Sequence, residues 1–295
     1  MPDDAPAPDE PLVDTHVHVW DLDGDPPTVT YPWLTSGPLH RTHALAEVAP
    51  AMRAAGVGAL VLVQAADSLT ETDALLGVAA SSPLSATVVG WLPLADADAC
   101  RRRLDASDAP ALVGVRHLVH DEPDPGWLLR ADVDAGLFVL ERAGLVLDVP
   151  AERPDLLDVL PVLADRHPGL VVVLDHLGKP PVTSGWGSEA ARLWARQVAE
   201  VARRPTTVAK LSGLELARPD GSTAGDDDVR PFVEHALACF GSDRMLLGGD
   251  WPVSTLQADY ATVMGRLSRI ADALSPDERA DLRHRTARRV YRVGV

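Results

Sequence analysis

Near its start the chain carries LVDTHVHVWD (residues 12–21), with two imidazoles, His16 and His18, two positions apart. On a strand, residues i and i+2 point to one face, so both rings would share a wall while Val17 and Val19 face the other way. Paired imidazoles can hold a metal or polarise a carbonyl. They can also be core histidines satisfied by hydrogen bonds. Two later residues favour the chemical reading: His176 in LVVVLDHLG (170–178) and Asp250 in MLLGGDWPV (245–253). Asp250 follows an apolar run and is the leading candidate for a base that takes a proton from water. Its alternative is a helix N-cap ahead of PVSTLQADY. His16, His18, His176 and Asp250 together have the donor types of one zinc site. The expectation is that turnover requires no cofactor, and that a bound metal would be a single divalent ion, zinc, on these four residues.

Cations and aromatic residues supply binding candidates. Arg116 follows LVGV and could bind a substrate carbonyl, carboxylate or hydroxyl, or pair with Asp121 or Glu122. Lys210, in VAKLSG, and Asp148, in LVLDVP, are charges among apolar neighbours. Each is a substrate-binding candidate or half of a structural ion pair. Trp33 in YPWL and Trp251 in DWPV could stack on a sugar ring or simply pack. For His117 packing is at least as good a reading. His40, His43, His167, His235 and His284 are assigned no function.

These residues need elements that bring them together. Apolar, β-branched runs cover 12–20, 57–64, 86–93, 112–119, 145–150, 170–178, 206–214 and 245–253. Amphipathic stretches separate most of them, among them LAEVAPAMRAAG, DLLDVLPVLADRHPG and EAARLWARQVAEVARR. Continuous apolar strands alternating with helices indicate a parallel sheet buried on both faces. Repeated this often in 295 residues, the pattern predicts a single (β/α)8 barrel over 12–295, after a flexible tail at 1–11. A doubly wound open sheet is the alternative, weakened by the lack of a Gly-x-Gly-x-x-Gly after the first run. In a barrel the strand ends converge on one mouth, and scattered candidates become a cluster. The long stretch 21–42 after the first strand would join that mouth, and 217–228 reads as a polar loop.

Composition narrows the partners. A formal charge of −16 argues against nucleic acid and anionic membrane surfaces. Two cysteines without metal-type spacing fit a reducing cytoplasm. The N-terminus lacks signal-peptide features, and no apolar run approaches the roughly 18 residues of a membrane span. Nothing in the sequence sets an oligomeric state.

Taken in order, VDTHVHVWD, YPWL, GVRHLVHDEPDPGWL, LDHLGKP, KLSGL and GGDWPV resemble the amidohydrolase superfamily. They are most similar to its lactonase branch, with fuconolactonase-like, rhamnonolactonase-like and pyrone-dicarboxylate-lactonase-like enzymes. The resemblance implies a barrel hydrolase that opens a sugar-acid lactone. It places the branch's histidine pair on His16 and His18, its strand-six histidine on His176 and its water-activating aspartate on Asp250. Relatives are expected to have glutamine where His120 stands. A metal-dependent decarboxylase or amide hydrolase of the same superfamily is the rival reading. In that pattern a histidine ends strand five, where this chain offers Asp148. A non-catalytic sugar-acid binding protein is the third reading.

Overall fold

A computed structural model of the chain describes residues 10–23, 28–106 and 109–294. The expected tail at 1–11 lies almost wholly outside the described residues. Eight strands form one sheet in sequence order: β1 (Leu12–Val17), β2 (Val57–Val63), β3 (Ser85–Gly90), β4 (Leu112–Arg116), β5 (Val146–Val149), β6 (Val172–Leu174), β7 (Thr207–Leu211) and β8 (Met245–Leu247). Every neighbouring pair from β1 to β8 is parallel. Just beyond β8 the sheet closes on β1: His18 N–H donates to Trp251 O at 2.7 Å, and Asp250 N–H donates to His16 O at 2.8 Å. This is the expected (β/α)8 barrel.

A helix follows each strand: α1 (Leu45–Ala54), α2 (Leu69–Ser81), α3 (Ala97–Asp105), α4 (Ala131–Ala143), α5 (Pro154–Arg166), α6 (Glu189–Ala202), α7 (Asp226–Phe240) and α8 (Tyr260–Asp272). Local chemistry sets their ends. The Ser68 and Ser188 side chains accept from backbone N–H groups in the first turns of α2 and α6, and Gly144 ends α4 at φ 65°. Two short helices, α9 (Pro276–Ala280) and α10 (Thr286–Tyr291), complete the chain. Ala287, Val290, Tyr291 and Val293 pack with Val13, Val61, Val89, Val113, Val146, Val173 and Leu246 in the barrel interior. The carboxyl-terminal segment thus contributes to the packed core inside the barrel.

The strands are shorter than the apolar runs that predict them, because the runs continue into turns at the carboxyl ends. β6 stops at Leu174, before Asp175 and His176. β1 is also irregular. Its pairing with β2 shifts register between Asp14 and Val17, while Val13 belongs to the interior cluster. Strict alternation from Val13 would send His16 outward. The irregularity resets the phase and turns His16 toward the axis, as bulges near active sites do.

Candidate active site

The carboxyl-end turns after β1, β2, β4, β5, β6 and β8 enclose a cavity of about 600 Å³, counting the solvent at its open mouth. Its lining includes His18, Trp33, Arg116, His176 and Asp250. Strained backbone marks two of these turns. His176 (φ 55°), Leu177 (φ 53°), Lys179 (φ 52°) and Asp250 (φ 54°) are four of the five described non-glycine residues at positive φ. Each such conformation costs about 1 kcal/mol or more, so their concentration here points to a positional demand. Gly213 (φ 52°) meets the same demand without a side chain: a Cβ there would overlap His176 and stand 2.7 Å from Asp250 Oδ2. The glycine makes room for the imidazole and the carboxylate.

His176 and Asp250 line the floor and His16, fully buried, lies just behind them; each of the three places one donor atom within 4.8 Å of the others. His18 lies beside them, its Nε2 3.1 Å from His16 Nε2 and 3.7 Å from Asp250 Oδ1. His18 Nδ1 must donate to the Val63 carbonyl, 2.8 Å away, so the nitrogen it turns toward His16 and Asp250 is Nε2. Two ring nitrogens this close need a proton or a cation between them. His176 Nδ1 meets Ser212 Oγ at 2.9 Å, leaving its Nε2 for other partners. Burial, then Lys210, holds the pKa of His16 well below the usual histidine value. Burial does the same for His176. Burial alone would raise Asp250, but His176, His18 and Lys179 outweigh it and keep the carboxylate below its ordinary pKa. Neutral imidazoles and an ionised carboxylate are the protonation states that metal ligation needs. Asp175 Oδ1 lies 3.4 Å from His16 Nδ1, while the hydrogen-bond contact of that nitrogen is with Lys210 Nζ at 3.1 Å. His16, His176 and Asp250 therefore fit a single zinc ion, with His18 adjacent.

The expected binding residues divide. Arg116 reaches the cavity, held by Nε–H donating to Asp175 Oδ2 at 2.9 Å and Nη1–H to the Gln64 carbonyl at 3.1 Å. Its ion-pair partner is Asp175, not the Asp121 or Glu122 weighed from sequence. Trp33 is 40% exposed and lines the mouth, its indole N–H donating to Ala65 O at 2.7 Å. Lys210, Asp148 and Trp251 do not line the cavity. Lys210 is fully buried below the floor, donating to Asp148 Oδ2 at 2.7 Å, with Asp175 Oδ1 and His16 Nδ1 both at 3.1 Å. Tyr291 donates its hydroxyl to Asp148 from below, at 2.8 Å to Oδ2. The lysine and Asp148 are each other's buried partner, the ion-pair alternative read for both. Burial opposes the Lys210 ammonium, yet Asp148 and Asp175 raise its pKa above the ordinary value. Trp251 is buried, edge-on to His43 with ring centroids 5.4 Å apart. His117 stacks on Trp127 at 3.9 Å, accepts from the Trp91 indole at 3.1 Å and meets Glu122 Oε1 at 2.9 Å, outside the cavity lining.

Three polar lining residues were not singled out for the site from sequence: Lys179, Glu152 and His120. Lys179 carried the clearest signal, as a cation inside LDHLGKP and three residues past His176. Its Nζ–H donates to Gly213 O at 3.1 Å.

A parallel barrel that gathers imidazoles around one carboxylate at its carboxyl mouth has the architecture of metal-capable hydrolytic barrels. The chain belongs to the amidohydrolase family, whose profile, described as Amidohydrolase, matches residues 13–293. It is 34% identical over 287 residues to an L-fucono-1,5-lactonase of Burkholderia multivorans, covering 95% of each chain. It is 32% identical over 293 residues to the L-fucono-1,5-lactonase of Burkholderia ambifaria, again covering 95% of each. A crystal structure of a Burkholderia multivorans amidohydrolase with bound zinc superposes with a TM-score of 0.85 at 31% identity, covering 96% of this chain and 100% of that one. Among the described residues no helix is long and apolar enough to cross a membrane.

Proposed function

We propose that this protein hydrolyses a sugar-acid lactone to the free acid. The observation that carries the reading is the His16–His176–Asp250 group, with His176 and Asp250 lining a cavity whose wall also holds two cations, Arg116 and Lys179. The lactonase names of two relatives at 32% and 34% identity support the same reaction class. Asp250, ionised at neutral pH, takes a proton from water as the water oxygen bonds to the lactone carbonyl carbon. Arg116 and Lys179 stabilise the charge that develops on the carbonyl oxygen. The ring C–O bond then breaks, and the departing alkoxide receives the proton held by Asp250. The product is an open-chain hydroxy acid.

A zinc ion, when bound at His16, His176 and Asp250, would add Lewis-acid polarisation of the carbonyl. Our reading is that turnover does not depend on it. An ester releases an alkoxide more readily than an amide releases an amine, and the two cations already face the cavity. The setting we propose is cytoplasmic, in keeping with free Cys100 and Cys239.

The test is acid release from a panel of five- and six-membered aldonolactones, using protein shown to be metal-free by elemental analysis. Turnover of at least one lactone is expected. Cleavage of simple amides with no lactone turned over would refute the lactonase reading. Activity lost on metal removal and restored by stoichiometric zinc would make the metal essential.

A further inference from the structure

The rim of the cavity is chemically two-sided. In a closed barrel of eight strands in sequence order, the 8-1-2 side lies opposite the 4-5-6 side. The first side supplies Val253, Trp33 and Ala65 to the lining. The Trp33 indole N–H is already bonded to Ala65 O, so what the ring has left to offer is its apolar face. The opposite side supplies His120, Glu152 and Lys179. Each of these has hydrogen-bonding capacity left over. The only ion-pair contact of Glu152 among the described residues is Lys179 Nζ at 3.9 Å, too long for a hydrogen bond. His120 Nδ1 is buried without a hydrogen-bond partner. Lys179 Nζ has three protons and donates one to Gly213 O.

An apolar face opposed by an edge of mixed donors and acceptors matches a pyranose-like ring, with C–H groups on its face and hydroxyls at its edge. A hydroxyl both donates and accepts, and can use Glu152 as acceptor and Lys179 as donor at once. A carboxylate substituent on the ring would instead face the Glu152 carboxylate. We infer that Glu152 and His120 are specificity-determining residues, which together with Lys179 select neutral lactones bearing ring hydroxyls over unsubstituted and carboxylated ones. The inference rests on the lactonase reading for the identity of the ring, but binding alone can test it.

Calorimetric titration with lactams, which keep the ring shape and resist hydrolysis, separates the two. Three probes serve: a polyhydroxylated δ-lactam, unsubstituted δ-valerolactam and a δ-lactam bearing a carboxylate. The native protein is expected to prefer the polyhydroxylated ring over each of the others by about tenfold or more, the worth of one or two well-made hydrogen bonds. Glu152→Gln should cut the discrimination against the carboxylated ring, and His120→Leu the discrimination against valerolactam, with His120→Gln restoring part of it. Thermal melting checks that each variant is folded. No preference in the native protein, or an unchanged preference in folded Glu152→Gln and His120→Leu, would overturn the inference. Intact preference without any lactone turnover would sink the lactonase reading and leave the subsite standing.

Discussion

Below the cavity floor, Lys210 has Asp148, Asp175 and His16 within 3.1 Å, and all four are buried. At the rim, Lys179, Glu152 and His120 sit past the strand ends with bonding capacity unused. Both regions combine a lysine, a carboxylate and a histidine, and they do opposite things with them. Close pairing below holds Lys210 and Asp148 to each other and Lys210 to His16, away from the cavity lining. Incomplete pairing above leaves groups that only a ligand or water can satisfy. A charged residue near a mouth is thus a binding residue only when its partners leave it free, and that depends on where its strand ends.

The largest expected effect lies between the two regions, at Asp250. Asp250→Asn removes the proposed base and should lower kcat by about 10²- to 10⁴-fold. Asparagine tolerates left-handed backbone, so the fold should survive. Near-normal turnover in a folded variant would show that another group activates water. The next effect belongs to the floor. Lys210→Met leaves Asp148 and Asp175 buried without their ammonium, which should destabilise the protein by about 3–5 kcal/mol. Denaturant unfolding reads this directly. A loss below about 1 kcal/mol, the scale of an exposed pair, would mean the buried charge network is not what holds the floor together.

Residues on or just past regular strands were legible in advance, because an apolar run ending in a polar side chain marks a strand end. That signal picks out His16, His18, His176, Asp250 and Arg116, and the number of such runs indicates the barrel. It does not say which partners a strand-borne charge will find. Lys210 and Asp148 read as two separate candidates because 62 positions separate them, and only closure of the barrel makes them a pair. Tyr291 was invisible for the same reason, reaching Asp148 from 143 positions away. Glu152 and His120 lie in turns that have no periodicity to read. The phase of β1 was legible only from His16 onward, since the register shift before it breaks the alternation.

The smallest effect concerns the anchor behind the apolar side of the rim. Glu71 accepts from Ala66 N–H at 2.7 Å and Ala65 N–H at 3.1 Å, holding the turn whose Ala65 carbonyl receives the Trp33 indole. Burial raises its pKa from 4.5 to about 7, against the backbone bonds that lower it. The folded protein therefore binds this proton more tightly than the unfolded chain. The resulting stability is fully present below about pH 4.5 and is lost as the pH rises through about 7. Glu71→Gln cannot titrate. Its stability deficit relative to the native protein should be larger at pH 5 than at pH 8, by no more than about 3 kcal/mol. Asp14 and Asp148, whose pKa values burial raises to about 6, are common to both proteins and cancel in the difference. Urea unfolding of the two proteins at both pH values measures it. A deficit that is constant, or that grows toward pH 8, would show that Glu71 is held as a carboxylate in the fold and that the rim anchor is as firmly charged as the floor.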